Sequence, residues 1–276
     1  MEINGNIRLA GIDLDGTLLN DDKLLCEGAA DTIKKAYENG IHIVPITGRP
    51  LLGIPKCVTE LDEVEYIISS NGAQINDMKN KKALYTCTIS HGRSLEIMRL
   101  LRELDLVFEP FTEGFGFTEK HIYNKYLHQY IGTVLEEYIR SSRRIVKRIE
   151  DLYEGNDRVT DEYFVHAGDV EKRKKLLKEL DKAEDLQYCV LNDTFVEITA
   201  KGCDKGESLE KLCKHLGVDI KDTIAFGDGE NDLLFLEKAG VAVAMENAHP
   251  AVKEKADIIA KSNNDNGVCE ILEKLI

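Results

Sequence analysis

The sequence predicts an α/β protein: a parallel-sheet core with helices on both faces, into which a separate α+β stretch is inserted. Three observations carry this reading. In residues 1–82 and 194–276, short apolar runs alternate with amphipathic helical stretches, the pattern of a parallel sheet built with right-handed crossovers. Several of those runs end in small, polar or charged residues, as strands do at the ligand-binding rim of an open α/β sheet. Between them, residues 83–193 change texture, with most of the tyrosines and much of the charge.

In chain order, residues 7–12 read as a buried strand that runs into Asp13-Leu14-Asp15-Gly16-Thr17-Leu18. Residues 27–39 read as a helix, with Ala29, Ala30, Ile33, Ala36 and Tyr37 as its apolar stripe and Gly40 as its stop. A second strand over 41–46 carries Pro45 near its end and gives way to Thr47-Gly48-Arg49-Pro50. A third, over 64–68, meets Ser69-Ser70-Asn71-Gly72. In the inserted stretch the patterns give a strand over 85–89, a helix over 95–104 and a strand pair over 106–111 and 115–118. A helix over 170–180 and a hairpin over 187–191 and 194–199 follow. The core resumes with a helix over 207–216 stopped by Gly217, then a strand over 223–226 ending in Gly227-Asp228-Gly229-Glu230-Asn231-Asp232. A helix over 233–239, strands over 241–244 and 258–260, a short helix opened by Pro250 and a last helix over 268–275 complete the chain.

Composition narrows the function. The 276 residues are 43% hydrophobic, enough to bury a core. The net charge of −14 argues against generic binding to nucleic acid or to an anionic membrane. An anionic substrate would therefore need local positive charge. The seven cysteines are scattered and form no CxxC, which fits reduced thiols in a cytoplasmic protein better than a disulfide frame or a zinc site. The N-terminus shows no signal-peptide pattern and no run is long enough to span a bilayer.

Four strand ends thus carry polar groups: Asp13 with Asp15, Thr47 with Gly48 and Arg49, Asn71, and Asp228 with Asn231 and Asp232. Between the third and the fourth, just before a helix, sits Lys205-Gly206. If the first strand continues into its motif, Asp13 and Asp15 share one face. Two close carboxylates repel, so one is protonated or a cation is shared. Oxygen ligands suit Mg²⁺, and no sulfur or imidazole cluster favours a softer metal. Mg²⁺, Lys205, the Thr47 hydroxyl and nearby backbone N–H groups would meet what phosphoryl transfer requires, positioning and charge compensation. Gly227-Asp228-Gly229 lacks the third glycine of a dinucleotide fingerprint, and a P-loop is absent.

As an ordered set, Asp13-Leu14-Asp15-Gly16-Thr17, Ile46-Thr47-Gly48-Arg49, Lys205 and Gly227-Asp228-Gly229-Glu230-Asn231-Asp232 resemble the motifs of the haloacid dehalogenase superfamily of phosphohydrolases. The insertion after the second motif and Ser70-Asn71-Gly72-Ala73 resemble its Cof-type subfamily, which has a large α/β cap. The resemblance implies a Rossmann-like catalytic core over 1–82 and 194–276 and a cap over 83–193. It implies that Asp13 is the nucleophile, forming an aspartyl-phosphate, and that Asp15 is the general acid and base. Asp13, the Asp15 carbonyl and Asp228 are the implied Mg²⁺ ligands. Leu14, Thr47, Gly48, Asn71, Lys205 and Asn231 are the implied phosphate-binding residues, and Asp232 a support.

The implied activity is a Mg²⁺-dependent phosphatase of small phosphorylated metabolites, such as sugar phosphates or phosphorylated cofactors. A phosphotransferase or phosphomutase using the same aspartyl-phosphate is one alternative, and a non-catalytic phosphate-binding module is another. Inside the insert the residues point less clearly. Arg140, Arg143, Arg144, Lys147 and Arg148 read as a solvated basic face. Asp21-Asp22-Lys23 reads as a solvated turn. His121, His128 and His166 show no metal-ligand spacing.

Overall fold

The computed structural model describes residues 6–276. The chain packs as two compact units. One holds the chain up to Gly48 with Pro55–Tyr85 and Asp204–Ile276; the other holds Arg49–Ile54 and Thr86–Cys203. Along the chain, β1 (Leu9–Ile12), α1 (Ala29–Glu38), β2 (His42–Pro45) and α2 (Lys56–Thr59) lead to β3 (Tyr66–Ser69), β4 (Gln74–Asp77) and β5 (Lys82–Thr86). The second unit follows with α3 (His91–Glu103), β6 (Val107–Thr112), β7 (Phe115–Glu119), α4 (Lys120–Tyr126) and α5 (Glu136–Ser142). It ends with β8 (Arg143–Val146), β9 (Glu162–His166), α6 (Val170–Leu180), β10 (Leu186–Val190) and β11 (Phe195–Ala200). The chain then returns to the first unit with α7 (Lys205–Leu216), β12 (Thr223–Gly227), α8 (Leu233–Lys238), β13 (Val241–Met245), α9 (Pro250–Lys255), β14 (Ile258–Ala260) and α10 (Gly267–Leu272).

The first unit is built on a five-stranded sheet in the order β14-β13-β12-β1-β2, with every pairing parallel. β1 and β12 are buried at every residue, which is why they read as unbroken apolar runs rather than alternating ones. In α1 the buried face is Ala29, Thr32, Ile33 and Ala36; Ala30, expected in the stripe, is exposed. Thr32 takes its place because it follows Ala29 by three residues, on the same helical face. The end of β2 meets β3 through one parallel bridge, Ile46 to Ile68. β3 then turns back on β4 in a separate three-stranded sheet, an antiparallel addition that the sequence pattern does not contain.

The second unit contains a six-stranded sheet in the order β10-β11-β9-β6-β7-β8, antiparallel except for β7 beside β8. One face packs Phe108, Tyr163, Val165, Val196 and Ile198 against Ile97, Met98 and Leu101 of α3 and Leu176 and Leu180 of α6. The strand expected over 85–89 lies instead at Lys82–Thr86; Ile89 makes only an isolated bridge to Thr160. The unit's limits differ from 83–193 as well. β10 and β11 pair along their whole length, so the hairpin stays together and the unit runs on to Cys203. No helix among the described residues is long and apolar enough to cross a membrane. No disulfide joins the cysteines among these residues.

The basic run is not a uniformly solvated face. Arg143 is buried: its guanidinium lies 4.9 Å from the centroids of both Phe111 and Tyr138, and its Nε donates to Glu109 Oε2 at 3.2 Å. Ring faces and a buried carboxylate replace water around the cation. Removing one partner of such a pair strands the other charge. Arg143→Ala should therefore destabilise the protein by about 3–5 kcal/mol in urea unfolding, and the double variant Glu109→Gln, Arg143→Met should recover part of that loss. A single variant as stable as the wild type would show that the pair contributes nothing.

Candidate active site

The site is assembled at the carboxyl ends of β1, β2 and β12 in the first unit. β1 stops at Ile12, and Asp13 N–H still donates to Phe226 O at 3.0 Å. The chain then turns: Leu14 O accepts from Thr17 N and Leu19 N, and Asp13 O accepts from Leu18 N. Asp13 and Asp15 are thus presented by a turn, not by the alternation of a continuing strand. Asp13 is buried, whereas Asp15 is partly exposed and pairs with Lys23 Nζ at 3.0 Å. The Asp21-Asp22-Lys23 turn is therefore tied in. Asn263 and Asn264 donate to the Asp21 carboxylate, and Lys23 reaches back to Asp15.

Gly16 adopts φ +84, and a Cβ there would lie 2.3 Å from Asp228 Oδ2. Only glycine satisfies both the left-handed backbone and this close approach. Asp228 Oδ1 accepts from the buried Thr17 hydroxyl at 2.9 Å. Asp228 and the first motif are therefore packed against each other across 211 residues of sequence.

Lys205 is the first residue of α7 and is 1% exposed. Its ammonium donates to Asp13 Oδ1 at 2.7 Å and to Asp232 Oδ1 at 2.6 Å. The other oxygen of Asp232 accepts from the backbone N–H groups of Asp228 and Gly229 at 3.0 and 2.9 Å. Both oxygens of Asp232 are thus engaged, so it holds Lys205 and the β12 loop in place. Thr47 is buried; its N–H donates to Ile68 O and its carbonyl accepts from Asn71 N–H. Gly48 follows it, half-buried. Ser70, Asn71 and Gly72 all have positive φ, at 48, 51 and 101. Backbone strain of this kind concentrates at functional sites. Gly72 abuts the Asp204 carbonyl, where a Cβ would lie at 2.3 Å, and its own carbonyl accepts from Ser208 Oγ of α7. Asn71 Oδ1 accepts from Asn231 Nδ2 at 3.2 Å.

The structure thus links Asp13, Lys205, Asp232 and Asp228 directly, and joins Thr47 to Asn71 and Asn71 to Asn231. Leu14 is the exception. Its side chain is fully buried in the core, so only its backbone is available to a ligand. Thr17 and Lys23 were not among the expected site residues. Thr17 lies within the first motif, which was its only signal, and Lys23 read as part of a solvated turn.

Asp13, Asp228 and Asp232 each offer an oxygen within 4.8 Å of the others. Burial, with the neighbouring carboxylates Asp232 and Asp228 adding to it, pushes Asp13 well above the usual carboxylate range, against the pull of Lys205. Burial, then Asp232, pushes Asp228 up to about 6. Lys205, bound to two carboxylates, is held charged despite its burial. Asp13 Oδ2 and Asp228 Oδ2 make no hydrogen bond among the described residues.

The strand ends of the parallel sheet thus gather carboxylates, a buried lysine and a strained backbone turn at one rim. A family model described as haloacid dehalogenase-like hydrolase matches residues 11–272. The chain belongs to the haloacid dehalogenase-like hydrolases, as a phosphatase of that family. It is 28% identical over 271 residues to the Bacillus subtilis 5-amino-6-(5-phospho-D-ribitylamino)uracil phosphatase YcsE, covering 97% of this chain and 95% of that one. It is 28% identical over 288 residues to the B. subtilis phosphatase YwpJ, covering 98% and 100%. A solved haloacid dehalogenase-like hydrolase from B. subtilis superposes with a TM-score of 0.87 at 26% identity, covering 98% of this chain and all of that one (100%).

The raised value of Asp228 makes a prediction about stability. A carboxyl whose pKa is higher folded than unfolded favours the fold when protonated, and that contribution is lost as pH rises from about 3.8 through about 6. In chelator, Asp228→Asn should thus be more stable than the wild type near about pH 8, by on the order of 1–3 kcal/mol, with the gain vanishing below about pH 4. Thermal denaturation across pH checks this; a gain that does not change with pH would contradict it.

Proposed function

We propose that the protein is a Mg²⁺-dependent phosphatase of small phosphomonoesters that works through an aspartyl-phosphate on Asp13. The observation that carries this reading is a charge imbalance. Three clustered carboxylates, Asp13, Asp228 and Asp232, face one buried ammonium, Lys205. One divalent cation would offset that excess, and oxygen donors are the ligands Mg²⁺ prefers. Asp13 and Asp228 each have an oxygen outside the hydrogen-bond network, and with the Asp15 carbonyl they would hold the ion. When bound, Mg²⁺ would supply charge compensation for the phosphoryl oxygens.

In this reading Lys205 fixes the rotamer of Asp13 through Oδ1, and Asp13 attacks phosphorus as the ester oxygen leaves. Asp15 in its protonated form gives that oxygen a proton. Ionised Asp15 then takes a proton from the water that hydrolyses the aspartyl-phosphate, which regenerates Asp13 and releases phosphate. Thr47, Gly48, Asn71, Asn231 and the backbone of Leu14 serve as phosphate contacts. The second unit acts as the cap and selects the organic group. A relative named for a phosphorylated ribitylaminouracil supports a small phosphorylated metabolite as the substrate.

The test is turnover of phosphomonoesters in oxygen-labelled water. Mg²⁺ should support release of phosphate carrying one solvent oxygen, a chelator should stop it, and Ca²⁺ should replace Mg²⁺ poorly because its larger, looser shell misplaces nucleophile and phosphate. Asp13→Ala should abolish turnover while leaving the fold intact. Full activity in Ca²⁺ alone, or isomerised ester without labelled phosphate, would contradict the proposal.

A further inference from the structure

Two loops of the first unit that no motif covers reach the turn that carries Asp13 and Asp15. One lies between β13 and α9, over 246–249; the other lies between β14 and α10, over 261–266. From the first, Asn247 Nδ2 donates to Gly16 O at 2.7 Å. From the second, Asn263 Nδ2 donates to Leu19 O at 3.0 Å and to Asp21 Oδ1 at 3.1 Å. The two asparagines are also tied to each other, because Asn263 N–H donates to Asn247 Oδ1 at 3.1 Å.

Asn247 meets a carbonyl with its nitrogen and an N–H with its oxygen, which fixes the orientation of its amide. Asn263 is buried, and its carbonyl accepts from the Cys26 thiol at 3.3 Å. Its loop is braced from within. Ser262 O accepts from Asp265 N and Gly267 N, and Gly267 lies so near Lys261 O that a Cβ there would be 2.0 Å away. The loop that carries Asn247 has a second hold on the site: His249 N–H donates to Asp228 O at 2.9 Å.

The consequence is for the backbone of the turn. The Gly16–Thr17 peptide is held on both sides, its carbonyl by Asn247 and its N–H by Leu14 O. Gly16, at φ +84, joins that peptide to the one whose carbonyl belongs to Asp15. A glycine leaves its flanking peptides wide freedom. With the Gly16 carbonyl released, the Asp15 carbonyl would lose a restraint on its direction. One loop thus restrains both the turn after Asp13 and the backbone of Asp228.

We propose that Asn247 is a positioning residue for the metal, with Asn263 as its anchor. It holds the turn so that the oxygens of Asp13, Asp15 and Asp228 are in place before the ion binds. Neither asparagine contacts ion or substrate in this assignment. The inference rests on the phosphatase reading above and adds what keeps its metal site in shape.

The test is calorimetric titration of the substrate-free full chain with Mg²⁺, for the wild type, Asn247→Ala and Asn39→Ala. Asn39 is the matched control: it is also exposed, and its Nδ2 donates to a backbone carbonyl, Lys35 O, at 2.8 Å. Asn247→Ala should weaken Mg²⁺ binding by about tenfold, as loss of an outer partner of metal ligands does. Asn39→Ala should leave it unchanged. In turnover, excess Mg²⁺ should restore most of what Asn247→Ala loses at limiting Mg²⁺, with KM for the ester unchanged. An Asn247→Ala protein that unfolds in less urea yet binds Mg²⁺ as the wild type does would overturn the inference and leave the phosphatase reading standing. Equal weakening by Asn39→Ala would do the same. A wild type that binds no Mg²⁺ would remove both.

Discussion

One buried ammonium holds the candidate site together. Lys205 joins Asp13 to Asp232, and so ties the end of β1 to the loop after β12 through the start of α7. A cation this deep stays charged because two carboxylates meet it. In the proposed reading Asp232 is a strut rather than a ligand. Its two oxygens are committed, one to the ammonium and one to the backbone of Asp228 and Gly229. What remains for chemistry is Asp13, Asp228 and the turn between Asp13 and Thr17.

The backbone around this cluster is held in conformations that a relaxed chain avoids. Gly16 is left-handed so that Asp228 can lie against it, and Ser70, Asn71 and Gly72 are left-handed in succession so that the turn can meet the start of α7. These strains persist because the surrounding contacts over-determine them: Thr17 to Asp228, Ser208 to Gly72, and Asn231 to Asn71. Function thus depends on residues with no chemistry of their own, whose role is to let charged groups approach.

Much of this was legible in the sequence, for a physical reason. Strands buried on both faces must be continuously apolar, so β1, β2 and β12 announce themselves, and the polar residues just past their ends announce the rim. Asp13, Asp228 and Lys205, far apart in the chain, were brought together by that logic alone. The second unit was less legible because its sheet buries charge. β11 alternates and was expected, but in β9 Phe164 fills the place between Tyr163 and Val165 where alternation would put a polar residue, and that strand was not anticipated at all. Arg143 read as solvated because sequence cannot show the rings of Phe111 and Tyr138 closing on it. Lys23 was misread for a similar reason: the sequence does not show that Asn263 and Asn264 tie down its turn or that Asp15 lies within reach of its ammonium.

The central claim is that the Asp13 carboxylate, oriented by Lys205, becomes covalently phosphorylated. The most direct measurement is acid quench of the enzyme during turnover, followed by borohydride reduction and peptide mass spectrometry, since reduction of an acyl phosphate converts aspartate to homoserine. The account predicts homoserine at position 13, dependent on both substrate and Mg²⁺. Rapid phosphate release with no modified residue, or modification at Asp15 or Asp228 in its place, would contradict it.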